Sequence, residues 1–359
     1  MAYLTLHSGK LRENYDSLDR LFKENDIRWG VVSKVLCGNK RFLSELISYG
    51  VDQICDSRVS NLRTIKSINP GIETMYIKPP AKRSIKSVVE TADISLNTEY
   101  ETIRLLSEEA KRQDKVHKII IMLEMGELRE GVLREDFMDF YARVFDLSHV
   151  EVVGIGTNLT CLYGVLPNQD KLYQLSLYEQ MIEAKFNRTI PFVSGGSSVT
   201  IPLLKQGILP DGVNHFRVGE TLFLGTNVYD GTAYDDLHND VFRLYTEIIE
   251  LTEKPMVPDG EMGQNVEGEE FEFDMTKVGE TSLRAIIDIG LLDVDQEHIE
   301  LVDESLSIVG ASSDMFVIDL GENTEKYKVG DTIEFRMDYM GTLRVLNSRY
   351  IDKRITGKG

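Results

Sequence analysis

The chain has 359 residues, 42% of them hydrophobic, enough for one large domain and a smaller one built around ordinary apolar cores. Lys plus Arg total 40 against 59 Asp plus Glu, and the formal charge of −19 argues against nucleic acid or an anionic membrane as partner, with a slight lean toward cationic substrates. Cys37, Cys55 and Cys161 have no CxxC spacing, residues 1–10 hold no apolar signal core, and no stretch reaches the roughly 18 apolar residues of a membrane span; the expectation is a reduced, cytoplasmic protein.

In chain order, Ser8 is placed to cap a first helix with Leu11, Tyr15, Leu18 and Phe22 on one face. Short β-branched runs follow at 28–33, 53–56, 74–77, 93–96, 117–123, 151–157, 191–194 and 214–217, with helical patterns between them such as 39–49, 98–112 and 168–186. Eight β/α units in roughly 220 residues predict a closed (β/α)8 TIM barrel over 9–228, with an open doubly wound sheet as the structural alternative. After residue 228 the texture changes. Residues 259–274 are rich in Gly, Glu and Asp and read as a solvated insertion, and alternating runs from Ser282 onward, punctuated by Gly310, Gly321 and Gly330, predict a smaller all-β domain over 229–359.

In a barrel, reactive groups belong at the carboxyl ends of strands, where Lys34, Asp56, Arg129, Asn158, the Ser194–Ser198 run and Arg217 all fall. Lys34 ends the apolar run Trp29 to Ser33, the position from which a lysine can hold an aldehyde cofactor as a Schiff base. Alone, such a lysine is more often a surface residue with a snorkelling stem. The Gly195-Gly196-Ser197-Ser198 turn leads into a helical segment and can cradle a phosphate with backbone N–H groups and hydroxyls, or can be a plain glycine-rich loop with a serine cap. Val218-Gly219-Glu220 follows the last barrel strand, and loops after strands seven and eight are where barrels assemble phosphate sites. The six histidines form no HExxH or other metal spacing, no metal site is expected, and His215, beside a strand end, reads as structural.

These segments, together with Asp56-Ser57-Arg58, Leu128-Arg129-Glu130-Gly131, Gly156 to Cys161, Arg217 to Glu220 and Gly310 to Asp314, resemble the alanine racemase superfamily of fold-type III pyridoxal 5'-phosphate enzymes. Within it they resemble the ornithine and broad-specificity racemase branch, over nearly the whole chain. The resemblance implies a pyridoxal phosphate barrel, a β domain joined by the N-terminal strand (residues 1–8), and a head-to-tail homodimer in which each site is completed by the partner's β domain. It implies Lys34 as cofactor-bearing base, Arg217 on the pyridine nitrogen, Asn158 orienting Arg217, and Ser197, Ser198, Gly219 and Glu220 on the phosphate. Arg129 would lie near the substrate carboxylate, although by itself it reads equally as a surface arginine.

Departures from the family pattern bear on the chemistry. The tyrosine that alanine racemases use on the opposite face of Cα falls at Leu291, in Ile289-Gly290-Leu291-Leu292-Asp293, and leucine moves no proton. Met122 stands near the place of their carbamylated lysine, and Met315 near a histidine common in the ornithine branch. Candidates for the second acid/base are Asp314, Cys161, Tyr339 and Tyr350, with Tyr339 readable also as a packed strand tyrosine. Three readings follow in order: an amino-acid racemase acting on ornithine, lysine or another non-alanine substrate; a decarboxylase or lyase of the same fold type, where Arg217 counts against the decarboxylase version because fold-type III decarboxylases generally place a carboxylate there; and a non-catalytic pyridoxal phosphate carrier, against which the β domain counts.

Overall fold

The computed structural model describes residues 2–265, 268 and 270–357. The chain opens with strand β1 (Tyr3–His7) and helix α1 (Ser8–Glu24). A barrel follows as β2 (Arg28–Val32), α2 (Lys40–Ile47), β3 (Gln53–Asp56), α3 (Val59–Ile68), β4 (Glu73–Tyr76), α4 (Ile85–Thr91), β5 (Ile94–Asn97), α5 (Tyr100–Arg112), β6 (His117–Met122), α6 (Phe137–Phe145), β7 (Val150–Gly156), α7 (Gln169–Phe186), β8 (Phe192–Ser194), β9 (Gly196–Ser197), α8 (Ile201–Lys205), β10 (His215–Val218) and α9 (Glu220–Leu224). A small hairpin, β11 (Thr226–Asn227) with β12 (Thr232–Ala233), completes this part. The chain divides into two compact units, residues 10–239 and residues 1–9 with 240–359.

Every strand pair from β2 through β8 is parallel and sequential, and β10 returns to pair with β2, Arg217 opposite Gly30. Closure, which alternation alone could not decide, depends on two devices. Just one residue after β8, β9 crosses to pair with β10, Gly196 opposite Phe216, and a Cβ on Gly196 would lie 2.2 Å from the Phe216 ring, so only glycine lets this strand pass. Lower in the seam, the Asn214 amide stands in for a strand, accepting from Val193 N at 2.9 Å and donating to Pro191 O at 2.9 Å. Inside, Cys55, Met75, Ile94, Leu96, Ile120, Met122 and Val153 form an apolar cluster, so the barrel is packed rather than hollow.

Helix α1 buries Leu11, Tyr15, Leu18 and Phe22, and the Phe22 ring packs 5.2 Å from Trp29 of β2 and 5.1 Å from Phe216 of β10. These aromatic contacts brace the two strands that carry Lys34 and Arg217 to the mouth. On the same helix, fully buried Asn14 donates to Leu222 O at 3.0 Å and His238 O at 2.9 Å and accepts from His238 N at 2.7 Å.

The second unit is an antiparallel sheet of β13 (Phe242–Pro255), β14 (Thr281–Ile287), β15 (Ile299–Leu301), β16 (Ser307–Ala311), β17 (Phe316–Asp319) and β18 (Thr332–Met337), in the order β15-β18-β13-β14-β17-β16. β1 pairs antiparallel with β13 and parallel with β19 (Asp352–Thr356). A bulge between Ile248 and Glu250 bends β13, so its first half serves β1 and β18 and its second half serves β14. The unit is not purely β, because Asp338 caps a helix, α10 (Tyr339–Asn347), by accepting from Gly341 N at 2.7 Å. Among the described residues no helix is long and apolar enough to cross a membrane.

Asn14→Ala leaves the buried Leu222 carbonyl and the half-buried His238 carbonyl and N–H without these partners, and should lower unfolding stability by about 1–3 kcal/mol in urea titrations.

Candidate active site

The residues singled out in the barrel gather at one end because strand ends place them there. Ser33 N donates to Cys55 O at 2.9 Å and Ser33 Oγ to the buried Asp56 carboxylate at 2.8 Å, which pins the turn that presents Lys34. Asp56 also accepts from Arg58 N at 2.9 Å and Asn61 Nδ2 at 3.1 Å; burial nonetheless pushes its carboxyl up. Lys34 itself is exposed in the single chain and begins a 3-10 turn that ends on left-handed Cys37 (φ 49°).

The loop after β10 lies against the same strand, since a Cβ on Gly219 would come 3.0 Å from Val32 O. Gly219 N and Thr221 N converge on Ser198 Oγ at 3.3 and 3.4 Å. Ser197 caps the short turn Ser198–Thr200 through a reciprocal capping box with Thr200. Glu220 starts α9 and is half-buried. The two glycine-bearing loops therefore meet, and Thr221, which sequence reasoning passed over, joins them.

Arg217 is buried, and its four terminal hydrogens all point at neutral acceptors. Nη1 donates to Ser194 O at 2.9 Å and to Ser194 Oγ; Nη2 donates to Thr157 O at 2.8 Å and Asn158 Oδ1 at 2.6 Å. A guanidinium has five N–H donors. Among the described residues no protein acceptor takes the fifth, Nε–H. Burial lowers the pKa of Arg217 from its ordinary value, yet a guanidinium starts so high that it stays charged.

Asn158 continues outward, its Nδ2 donating to Glu130, which Arg129 also holds with an Nη2 bond of 2.7 Å. Burial pushes the Glu130 carboxyl up, but the bonds from Arg129 and Asn158 outweigh it and hold it below the usual range. Arg129 is exposed, and Arg129, Glu130, Asn158 and Arg217 form one chain of hydrogen bonds, with the Cys161 side chain near Arg129. Glu130 had appeared in the sequence only as a neighbour of Arg129. Gly131 makes this arrangement possible: at φ 156° its missing Cβ would sit 2.2 Å from Glu124 N.

The loop after β7 that carries Cys161 is held by buried Glu127, which accepts from the backbone N–H groups of Thr160, Leu162, Tyr163 and Val165. Burial raises its carboxyl, and those four donors outweigh the burial and leave it below the ordinary value. Asp314 and Tyr339 lie in the other unit. Leu291 N and Leu292 N donate to Ser312 O and Ser313 O, both at 3.0 Å, so the segment in the place of the family's tyrosine is tied to the turn bearing exposed Asp314. Tyr339 is the first residue of α10, not a strand tyrosine, and Tyr350 is 83% exposed.

A depressed carboxyl contributes stability above the unfolded glutamate value of about 4.3 and loses it as pH falls through the folded value. Protease cleavage at Leu162–Tyr163 should therefore stay slow at pH 7 and accelerate below about pH 4. In Glu127→Ala it should be fast at both, with about 2–4 kcal/mol of stability lost.

Comparison with known proteins agrees with this geometry. Residues 6–227 match the family described as alanine racemase, N-terminal domain. Over 353 residues the chain is 37% identical to an ornithine racemase of Acetoanaerobium sticklandii, covering 98% of this chain and 99% of that protein. A lysine racemase of Thermotoga maritima is 29% identical over 350 residues, 98% of this chain and 97% of the relative. In fold, the chain resembles an alanine racemase of Clostridium difficile 630, with a TM-score of 0.77 at 16% identity, over 99% of this chain and 96% of that one. A nine-strand parallel barrel closed at β9, an antiparallel second unit and matches spanning both make this chain a member of the alanine racemase family, a pyridoxal phosphate-dependent amino-acid racemase.

Proposed function

We propose that the protein interconverts the L and D forms of a basic amino acid, ornithine or lysine, in a cytoplasmic head-to-tail homodimer. One observation carries the site assignment: buried Arg217 has four donors occupied by neutral acceptors and Nε–H left over, the arrangement a pyridine nitrogen needs. Support for the substrate class comes from the ornithine and lysine racemases that resemble the chain end to end, and from its charge of −19.

The donor set fits the cofactor. Ser197, Ser198 and the backbone N–H groups of Gly219 and Glu220 would hold the phosphate, and Asn158 steadies Arg217. Bound pyridoxal phosphate supplies an aldehyde for amine attachment and a conjugated ring that acidifies the Cα–H bond. Lys34 would hold the cofactor through Nζ, and the same amine would take or return a Cα proton on one face. Arg217 would donate Nε–H to the cofactor's ring nitrogen without giving up its proton. By leaving that nitrogen unprotonated, Arg217 would favour return of the Cα proton over other outcomes. Arg129 binds the substrate carboxylate. On the opposite face the proton belongs to Asp314 contributed by the second subunit; its link to the Leu291 segment favours it over Tyr339 and Cys161.

Lys34→Ala should abolish turnover and the visible absorption of the bound cofactor; retained activity would sink the reading. In D2O, wild type should place deuterium at Cα of both enantiomers of ornithine or lysine, monitored by NMR and chiral chromatography. Asp314→Asn should cut racemisation by about 100-fold or more while exchange persists for one enantiomer, the signature of a surviving Lys34 face. Cys161→Ser and Tyr339→Phe should stay within about fivefold of wild type. Loss in either of those instead of Asp314→Asn would reassign the second base.

A further inference from the structure

Four neighbouring strands, β4, β3, β2 and β10, begin with Glu73, Gln53, Arg28 and His215, all at the amino end of the barrel, away from the site. Three of these side chains connect upward to Arg217. Arg28 Nη2 lies 2.6 Å from Glu73 Oε2, Gln53 Nε2 donates to the same oxygen at 2.5 Å, Gln53 Oε1 lies 2.8 Å from His215 Nε2, and His215 Nδ1 lies 2.6 Å from Ser194 Oγ, which Arg217 Nη1 contacts. Gln53, His215, Ser194 and Arg217 are all buried. Gly30 leaves room for the crossing, because a Cβ there would lie 2.4 Å from Gln53 Oε1.

The direction of each hydrogen bond is determined. A carboxylate only accepts, so Gln53 must turn its NH2 to Glu73 and its carbonyl to His215. His215 must then carry its proton on Nε2 and present a bare Nδ1. Ser194 donates its hydroxyl hydrogen to that nitrogen, which leaves an oxygen lone pair for Arg217. The Asn158 branch is polarised in the same way by Glu130. Burial, with Arg217 and Arg28 adding to it, pushes His215 far below its ordinary value, so the imidazole is neutral.

We propose that Gln53 and His215 are positioning residues for the racemase: a one-directional hydrogen-bond wire, set by Glu73 at the amino end, holds Ser194 as an acceptor and so fixes Arg217 with its Nε–H turned to the ring. The proposal rests on the role given to Arg217 above. It departs from the usual division of a barrel, in which residues at the amino end serve stability alone.

Nitrogen-15 NMR of wild-type protein at pH 7 should find His215 neutral with its proton on Nε2. Gln53→Leu removes the acceptor, and the proton should move to Nδ1. Ser194→Ala should leave the proton on Nε2. Each single variant should lower kcat of the holoenzyme about tenfold with little change in KM. The double variant should be no worse than Ser194→Ala, because both cut one wire. Multiplied losses of about a hundredfold, a wild-type kcat in Gln53→Leu, or a wild-type His215 that is charged or protonated on Nδ1 would each overturn the proposal. A wild type that gains no absorption band with pyridoxal phosphate but keeps the Nε2 proton would instead sink the cofactor reading itself.

Discussion

A permanent cation sits inside this barrel without touching a carboxylate, and much of the polar interior is arranged around that fact. Taking a guanidinium out of water costs several kcal/mol unless its hydrogens are met. Here Ser194, Thr157 and Asn158 meet four of them with neutral oxygens. The compensating charges, Glu130 and Glu73, lie one and three side chains further away, each paired with an arginine nearer the surface. Indirect compensation leaves Arg217 strongly charged toward a ligand. A carboxylate in direct contact would have absorbed much of that field.

Much of the architecture was legible because each unit announced itself locally. Val31, Ile54, Met75, Ile94, Ile120 and Ile155 are β-formers or apolar residues at the centres of short runs, and the intervening periodicity of Leu11, Tyr15, Leu18 and Phe22 is that of one helix face. Closure followed from the count of eight units, but the devices that achieve it, Gly196 passing beneath Phe216 and the Asn214 amide acting as a rung, were not legible because both are non-local. Helix α10 escaped notice for a related reason: Tyr339 to Asn347 is short, and its Asp338 cap follows directly on strand β18.

At the site, the side chains with distinctive chemistry could be read from type and position: Lys34, Arg217 and the serine and glycine loops. Residues acting through others could not. His215 reads as structural because its partners, Gln53 and Ser194, are distant in sequence, and Glu130 reads as a neighbour of Arg129 until Asn158 is placed beside it. Thr157 contributes a backbone carbonyl, which no side-chain pattern encodes.

The first strand of the chain finds both its neighbours at the far end of the sequence, β13 antiparallel and β19 parallel. On a ribosome, Tyr3–His7 is made before the barrel and both of its partners after it, so its edge stays bare while the barrel is synthesised. Its rungs to β19, up to His7 opposite Thr356, form only after every barrel strand has been made. The smaller unit thus completes its sheet later than the barrel strands are made, and the nascent chain has to keep an alternating apolar strand, Leu4 and Leu6 among it, from pairing with a stranger in the interval.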